Sequence, residues 1–167
     1  MRKILFCTIL CILTTSQVYA QSTDNSAPIP QDLENQKKLQ EDPLFPSIYR
    51  GHVDAIIGDL VNKNCKILPE LASKELTNNV TVTQQKLLPM WLDNHFQLSR
   101  IHKLKMLQDA AIIGYNTSQK YSKDCNSSAT QEVVKNAQNN QQCNLQILLD
   151  KSKDLTCFSF YKEAKAK

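Results

Sequence analysis

The sequence predicts an all-α domain, a small bundle of four or five helices cross-linked by two disulfides and preceded by a flexible N-terminal arm. Glycine is scarce, at three in 167 residues, although the turns of hairpins and sandwiches depend on it. Lysine, glutamine, leucine, alanine and glutamate are plentiful, and these residues favour helices. Apolar residues recur at the helical period in several segments. The shortage of glycine also argues against a glycine-rich cofactor loop, so we expect no cofactor.

Residues 1–20 have the pattern of a secretory signal peptide. Arg2 and Lys3 supply the positive start, and residues 4–14 form an apolar stretch too short to span a bilayer. Residues 18–20 end in the small-residue pattern of a cleavage site. We therefore expect a periplasmic or secreted protein with no membrane anchor once the signal peptide is removed.

The chain has six cysteines, and two of them, Cys7 and Cys11, lie in the signal peptide. Cleavage would therefore leave four. An even number in an exported protein indicates disulfides, and no pair has the spacing of a metal site. We predict that both disulfides form among these four residues, which are Cys65, Cys125, Cys143 and Cys157.

The pairing of these cysteines is narrowed by helix geometry. A helix over residues 144–153 would separate Cys143 from Cys157 by about 20 Å, whereas a disulfide joins Cα atoms within about 7 Å. This reasoning excludes a Cys143–Cys157 disulfide. Two pairings stay open: Cys65–Cys157 with Cys125–Cys143, which is favoured, or Cys65–Cys143 with Cys125–Cys157.

Residues 21–46 are predicted to form the flexible arm. They hold four prolines, which interrupt helices, and five acidic against two basic residues, a net charge of −3. A short helix over residues 32–40 would have little apolar content to hold it in place. We expect this segment to be mobile.

The folded domain is predicted over residues 47–167. Sixteen basic and eleven acidic residues give this part a net charge of +5, but the basic residues are scattered along it. Scattered positive charge is typical of a solvated helical surface rather than of a nucleic-acid site. We therefore expect no nucleic-acid partner.

Two helices are predicted in the first part of this domain. Ser47 is expected to cap the first, whose apolar positions extend to Val61 at helical spacing. A second, short helix is predicted from Pro69 to Leu76, because proline is favoured at the first helical position. The polar and β-branched residues 78–83 then indicate a loop.

The longest helical pattern runs from residue 83 to about residue 121. A straight helix of this length would span roughly 50 Å, which is long for a domain of this size. We therefore expect a bend or a split, with Pro89 marking the start or a kink and Gly114 marking a break near the end.

Further helices are predicted towards the C-terminus. Ser128 is expected to begin one, because Gln131 completes a capping box. The Asn/Gln-rich run that follows predicts a loop around residues 139–140, and a last helix is expected over residues 145–155. Residues 156–161 are predicted to continue that helix or to form an extended docking tail.

The histidines and aspartates form no motif that is typical of catalysis or metal binding. His95 and His102 would share one helix face about 10 Å apart, too far to ligate one metal ion unless His52 joins them. Asp93 and Asp109 lie near apolar positions, but their spacing selects no catalytic pair. We therefore expect no metal site, no catalytic residue and no enzymatic activity.

Two groups of large side chains are candidate binding residues. The first would line an apolar ligand pocket between helices, with burial in the core as the favoured alternative, and comprises Trp91, Phe96, Ile101 and Leu104. The second would contact a protein partner and comprises Phe158, Phe160 and Tyr161.

Three functions follow as hypotheses, in order of preference. The first is a non-enzymatic protein-binding factor outside the cytoplasm: an inhibitor, an immunity protein, or an accessory subunit of an envelope or secretion system. Its partner would be another protein. The second is a carrier of a small apolar ligand in a helical cavity. The third is a hydrolase of envelope polymers that acts through His95 with Asp93 or Asp109.

Overall fold

The computed structural model describes residues 30–150 and 153–161, with side chains for residues 33–149 and 153–161. Six α-helices and no strand occur in these residues, so the prediction of an all-α, disulfide-linked bundle is confirmed. The predicted signal peptide and residues 21–29 of the predicted arm lie outside the described residues.

The helices follow one another with short connections. They are α1 (Pro30–Glu41), α2 (Phe45–Cys65), α3 (Glu70–Val82), a π-helical turn (Thr83–Leu87), α4 (Leu88–Phe96), α5 (Arg100–Tyr121), α6 (Ser128–Asp150) and a short 3-10 helix (Leu155–Cys157).

Helix α2 is the centre of the bundle, because α5 and α6 both pack along it. Apolar and small residues occupy most of its surface, and a helix that is apolar on nearly all sides is buried. Ile48, Ala55 and Val61 have no exposed surface. The helix ends where Lys66 adopts a left-handed conformation (φ 53°) and its N–H donates to the Asn62 carbonyl (2.7 Å).

Glycine allows α5 and α6 to approach α2 closely. A Cβ at Gly114 of α5 would lie 2.4 Å from Cγ2 of Ile56, and a Cβ at Gly58 of α2 would lie 2.0 Å from Cβ of Ala137. The expectation that Gly114 breaks its helix was therefore wrong. The residue sits inside α5 because packing against α2 outweighs the low helix propensity of glycine.

The long helical pattern is split, as predicted, and Pro89 marks the start of one of its helices, but the sharp turn in the chain does not lie at Gly114. Pro89 lies in the first turn of α4, after the π-helical turn, where its missing N–H is tolerated. The chain turns instead at residues 97–99, where Gln97 is left-handed (φ 49°) and Ser99 caps α5 by accepting a hydrogen bond from the N–H of His102.

Two predicted loops are helical. Residues 78–83 continue α3 into the π-helical turn, because Val80 packs into the core at 5% exposure. Residues 139–140 lie inside α6, whose Asn140 and Gln141 are buried. Ser127, not Ser128, caps α6 by accepting from the N–H of Thr130 (3.2 Å).

The disulfides join Cys65 to Cys125 and Cys143 to Cys157, with Cα–Cα distances of 5.3 and 5.5 Å. Excluding Cys143–Cys157 was wrong, and so were both pairings that remained. Helix α6 ends at Asp150, about 10 Å beyond Cys143 along the helix axis. Seven residues of chain lie beyond Asp150 up to Cys157, and at up to about 3.3 Å per residue they are enough to bring Cys157 back to α6.

Part of the predicted arm packs against the bundle. Residues 30–41 form α1, whose Leu39 is 5% exposed and belongs to the core. The side-chain amide of Asn35 donates to the Gln97 carbonyl (3.4 Å). One buried leucine and a few polar contacts therefore hold a helix that its composition alone did not predict to be fixed. The mobility of residues 21–29 stays a prediction.

Candidate functional site

The four residues predicted to line a ligand pocket do not come together. Trp91 and Phe96 are core residues, each 7% exposed, whereas Ile101 and Leu104 are 67% and 54% exposed. The turn at residues 97–99 separates α4 from α5, so the apolar positions on either side of it no longer share one face. Trp91 and Phe96 are therefore core residues, which was the favoured alternative. The prediction that all four residues line one pocket was wrong.

The C-terminal aromatic residues divide between core and surface. Phe158 is fully buried, and it packs so closely on α2 that a Cβ at Gly51 would lie 2.3 Å from its ring. Phe158 therefore cannot contact a partner as predicted. Phe160 is half-buried, stacked on Phe158 and covered by the guanidinium of Arg50 at 4.2 Å, while Tyr161 remains 37% exposed.

A hydrogen-bond network fixes this C-terminal segment to the bundle. Asn140 of α6 donates to the Asp54 carboxylate (3.0 Å). Its side-chain oxygen accepts from both the backbone N–H (2.8 Å) and the hydroxyl (2.9 Å) of Ser159. Because Asn140 is fully buried, loss of these bonds would leave unsatisfied polar groups in the core.

The three histidines occupy separate environments. His52 is fully buried in α2, and neither of its ring nitrogens has a hydrogen-bond partner. Desolvation lowers the pKa of His52 to about 4. His95 donates to the Trp91 carbonyl (2.8 Å), and His102 accepts from the Gln36 amide (2.7 Å). Among the described residues, no cluster of three or more His, Cys, Asp or Glu side chains could hold a metal ion.

The residues suggested for hydrolysis do not converge in a cleft. His95, Asp93 and Asp109 are all exposed. The Asp93 carboxylate pairs with Lys103, and Asp109 lies six residues beyond Lys103 on α5. Asp93 and Asp109 are therefore not placed as a pair for acid–base catalysis.

Helix α5 carries a surface that the sequence reasoning did not identify. Five large apolar side chains of α5 are exposed, and one of them, Ile113 (46%), lies about 100° to one side of the others. The other four lie in one row, and we call them the outer stripe: Ile101, Leu104, Ile112 and Tyr115. Their exposed fractions are 67%, 54%, 49% and 58%. At 100° per residue the four positions fall within about 80° of one another around the helix axis.

Another face of α5, centred about 120° around the helix axis from the outer stripe, packs on the bundle. Ala110, Gly114 and Ser118 are buried there. The sequence contained the relevant signal, because α5 has more apolar positions than one helix face can hold. Two of these positions, Ile101 and Leu104, were predicted to line an internal pocket instead.

A shallow groove lies beside the outer stripe, between α1, α2 and α5, with a volume of about 330 Å³. Its floor is apolar, with Leu39, Phe45, Tyr49, Leu98 and Met106, and its rim is polar, with Gln36, Gln40, His102, Lys105 and Asp109. Burial raises the pKa of Tyr49, and the negative charge of Asp109 raises it further. The groove depends on α1, which the sequence reasoning had assigned to the arm.

The two disulfides indicate an oxidising compartment. In the part of the chain that the structure describes, no helix combines the length and the apolar character needed to cross a membrane. Comparisons of the chain with protein-family models, with curated proteins and with solved structures found no match.

Proposed function

We propose that this protein is an exported, non-enzymatic protein-binding factor and that the outer stripe of α5 is its contact surface. The predicted signal peptide and the two disulfides support export, to the periplasm or to the extracellular medium. An inhibitor, an immunity protein and an accessory subunit of an envelope or secretion system all fit this description.

The observation that carries the proposal is that α5 has two apolar faces. One face packs on α2, and the outer stripe leaves four large apolar side chains about half exposed or more. Contiguous exposed apolar surface is typical of protein-interaction sites. Tyr115 is the kind of residue that contributes most to binding energy when a partner covers it. The cross-linked bundle holds the stripe rigid, which lowers the entropy cost of binding.

A photo-crosslinking amino acid at position 108, in the middle of the outer stripe, tests the proposal. Gln108 is exposed, and so is Lys135 on α6, which serves as the matched control position. After irradiation in the producing cells or their medium, we expect a covalent adduct with a protein from position 108 but not from position 135. Adducts from both positions, or from neither, would contradict the proposal.

A second variant checks that the adduct depends on the stripe itself. Leu104→Glu places a charge in the apolar surface without touching the core, and should reduce the yield of the position-108 adduct at least tenfold. Leu149→Glu is its control, because Leu149 is a similarly exposed leucine (58%) on α6. An undiminished yield with Leu104→Glu would count against the stripe as the contact surface.

The groove between α1, α2 and α5 favours a second candidate function, a carrier of a small apolar ligand. Its volume is at the lower end of the range for ligand sites, and its apolar floor with a polar rim is typical of them. One lysine and one aspartate on the rim balance in charge, which suits an uncharged ligand.

The fluorescence of N-phenyl-1-naphthylamine tests the carrier function, because this uncharged probe brightens in apolar sites. Met106→Trp should fill the groove and reduce the signal, whereas Met90→Trp, at an exposed position on α4, should not. No increase in fluorescence with the wild-type protein would exclude the carrier function for ligands of this class.

A further inference from the structure

We infer that the outer stripe binds the outer stripe of a second copy of this chain, with the two α5 helices antiparallel about a twofold axis at Gln108. The inference rests on the proposed contact surface and names its partner. A twofold interface uses the same surface on both copies, so the surface must be complementary to itself.

The spacing of the outer stripe meets this requirement. Ile101 and Tyr115 lie seven residues on either side of Gln108, and Leu104 and Ile112 lie four residues on either side. In an antiparallel pair centred at Gln108, Ile101 therefore faces Tyr115 of the second copy, and Leu104 faces Ile112. The apolar surface extends about 21 Å along the helix, and the two Gln108 side chains meet at the axis.

The charges beside the stripe favour the same arrangement. Lys105 and Asp109 are exposed on one flank of the stripe. The twofold axis places Lys105 about 3 Å along the helix axis from Asp109 of the second copy, on the same flank. Helices pack at 8–10 Å, so these two side chains can reach one another. The contact is made twice, once for each copy. A parallel pair, whose twofold axis runs along the helices, would instead place Lys105 and Asp109 of the second copy on opposite flanks and would lose this contact.

The interface is small. A single pair of helices in contact over this length buries less than the roughly 1,600 Å² of a standard interface. We therefore expect a weak dimer, with a dissociation constant on the order of 10 µM.

Sedimentation velocity of the purified, disulfide-bonded protein tests the inference between about 1 and 500 µM. We expect a shift from monomer to dimer over this range. Leu104→Glu should weaken the dimer at least tenfold, and Leu149→Glu should leave it unchanged. Circular dichroism of each variant checks that the fold is intact.

A charge exchange tests the antiparallel register. Lys105→Glu and Asp109→Lys alone should each weaken the dimer severalfold, because each sets like charges opposite one another. The double variant should restore the wild-type dissociation constant. A double variant no better than the single ones would overturn the antiparallel register.

Different results would overturn the dimer and the proposed contact surface. A protein that stays monomeric up to 500 µM, or a dimer that Leu104→Glu leaves intact, overturns the inference. If the position-108 crosslinker still captures a different protein in that case, the outer stripe remains a contact surface with another partner. An adduct that contains two copies of this chain supports the inference.

Discussion

Acidification should destabilise this protein through His52. The ring of His52 has no exposed surface and neither ring nitrogen has a hydrogen-bond partner, so the core favours the neutral form. Burial lowers the pKa of His52 from 6.5 to about 4. In the unfolded chain the histidine recovers its ordinary pKa and takes up a proton at higher pH than the folded protein does.

The sign and size of the effect follow from this difference. Between pH 6.5 and pH 4 the unfolded state binds more protons, so the free energy of unfolding falls as the pH falls, by up to about 1.4 kcal/mol per pH unit. Over the whole interval His52 should remove roughly 3 kcal/mol, a large share of the 5–15 kcal/mol typical of small proteins. Above pH 6.5 the contribution of His52 to stability should no longer vary with pH.

Urea unfolding at pH 7 and at pH 4 measures the effect, with His52→Leu as the test variant. Leucine has a similar volume and cannot titrate. The loss of stability between the two pH values should be about 3 kcal/mol smaller in His52→Leu than in the wild-type protein. His95→Gln is the control, because it removes an exposed histidine, and it should keep the acid sensitivity of the wild type. Equal losses in His52→Leu and the wild type would refute the reasoning.

Three further predictions concern packing, polar burial and the disulfides. Gly58→Ala should lower the free energy of unfolding by about 1–3 kcal/mol, because its Cβ would overlap Cβ of Ala137. Ala137→Gly in the same chain should recover part of that loss in urea unfolding. Asn140→Ala should lower the free energy of unfolding by about 2–3 kcal/mol, because it removes the hydrogen bonds to Asp54 and Ser159. Alanine at the exposed position 139 should lower it by less than about 0.5 kcal/mol. Equal melting temperatures for these two variants would contradict the role of Asn140 in this network. Non-reducing peptide mapping should recover only Cys65–Cys125 and Cys143–Cys157, and replacing the second pair by serine should cost about 3 kcal/mol and expose the C-terminal segment to proteases.

Several elements could be predicted from local pattern alone. The helical spacing of apolar residues up to Val61 predicted the central helix α2, which the structure places at Phe45–Cys65. The need to split the pattern over residues 83–121 followed from its length. Both conclusions depend only on spacing along the chain, which a sequence contains directly.

The candidate site could not be predicted in the same way. Ile101 and Ala110 both fit an apolar helical pattern, but only one of them is buried, because the position of α2 decides which face of α5 is covered. Asn140 and Gln141 belong to a polar run typical of a loop. They can be buried because remote parts of the chain supply their hydrogen-bond partners. Asn140 bonds to Asp54 and Ser159, and Gln141 bonds to Asn79 and Thr83.

The sequence by itself determined the helical class, the presence of disulfides and the expectation of export, because these depend on composition, on an even number of cysteines and on an N-terminal pattern. Tertiary structure alone decided which cysteines pair, since Cys143 and Cys157 meet only because α6 ends at Asp150 and the chain returns. It also decided which apolar face of α5 is left in solvent. Burial and disulfide pairing depend on distances between segments that are remote in sequence, and no local pattern specifies those distances.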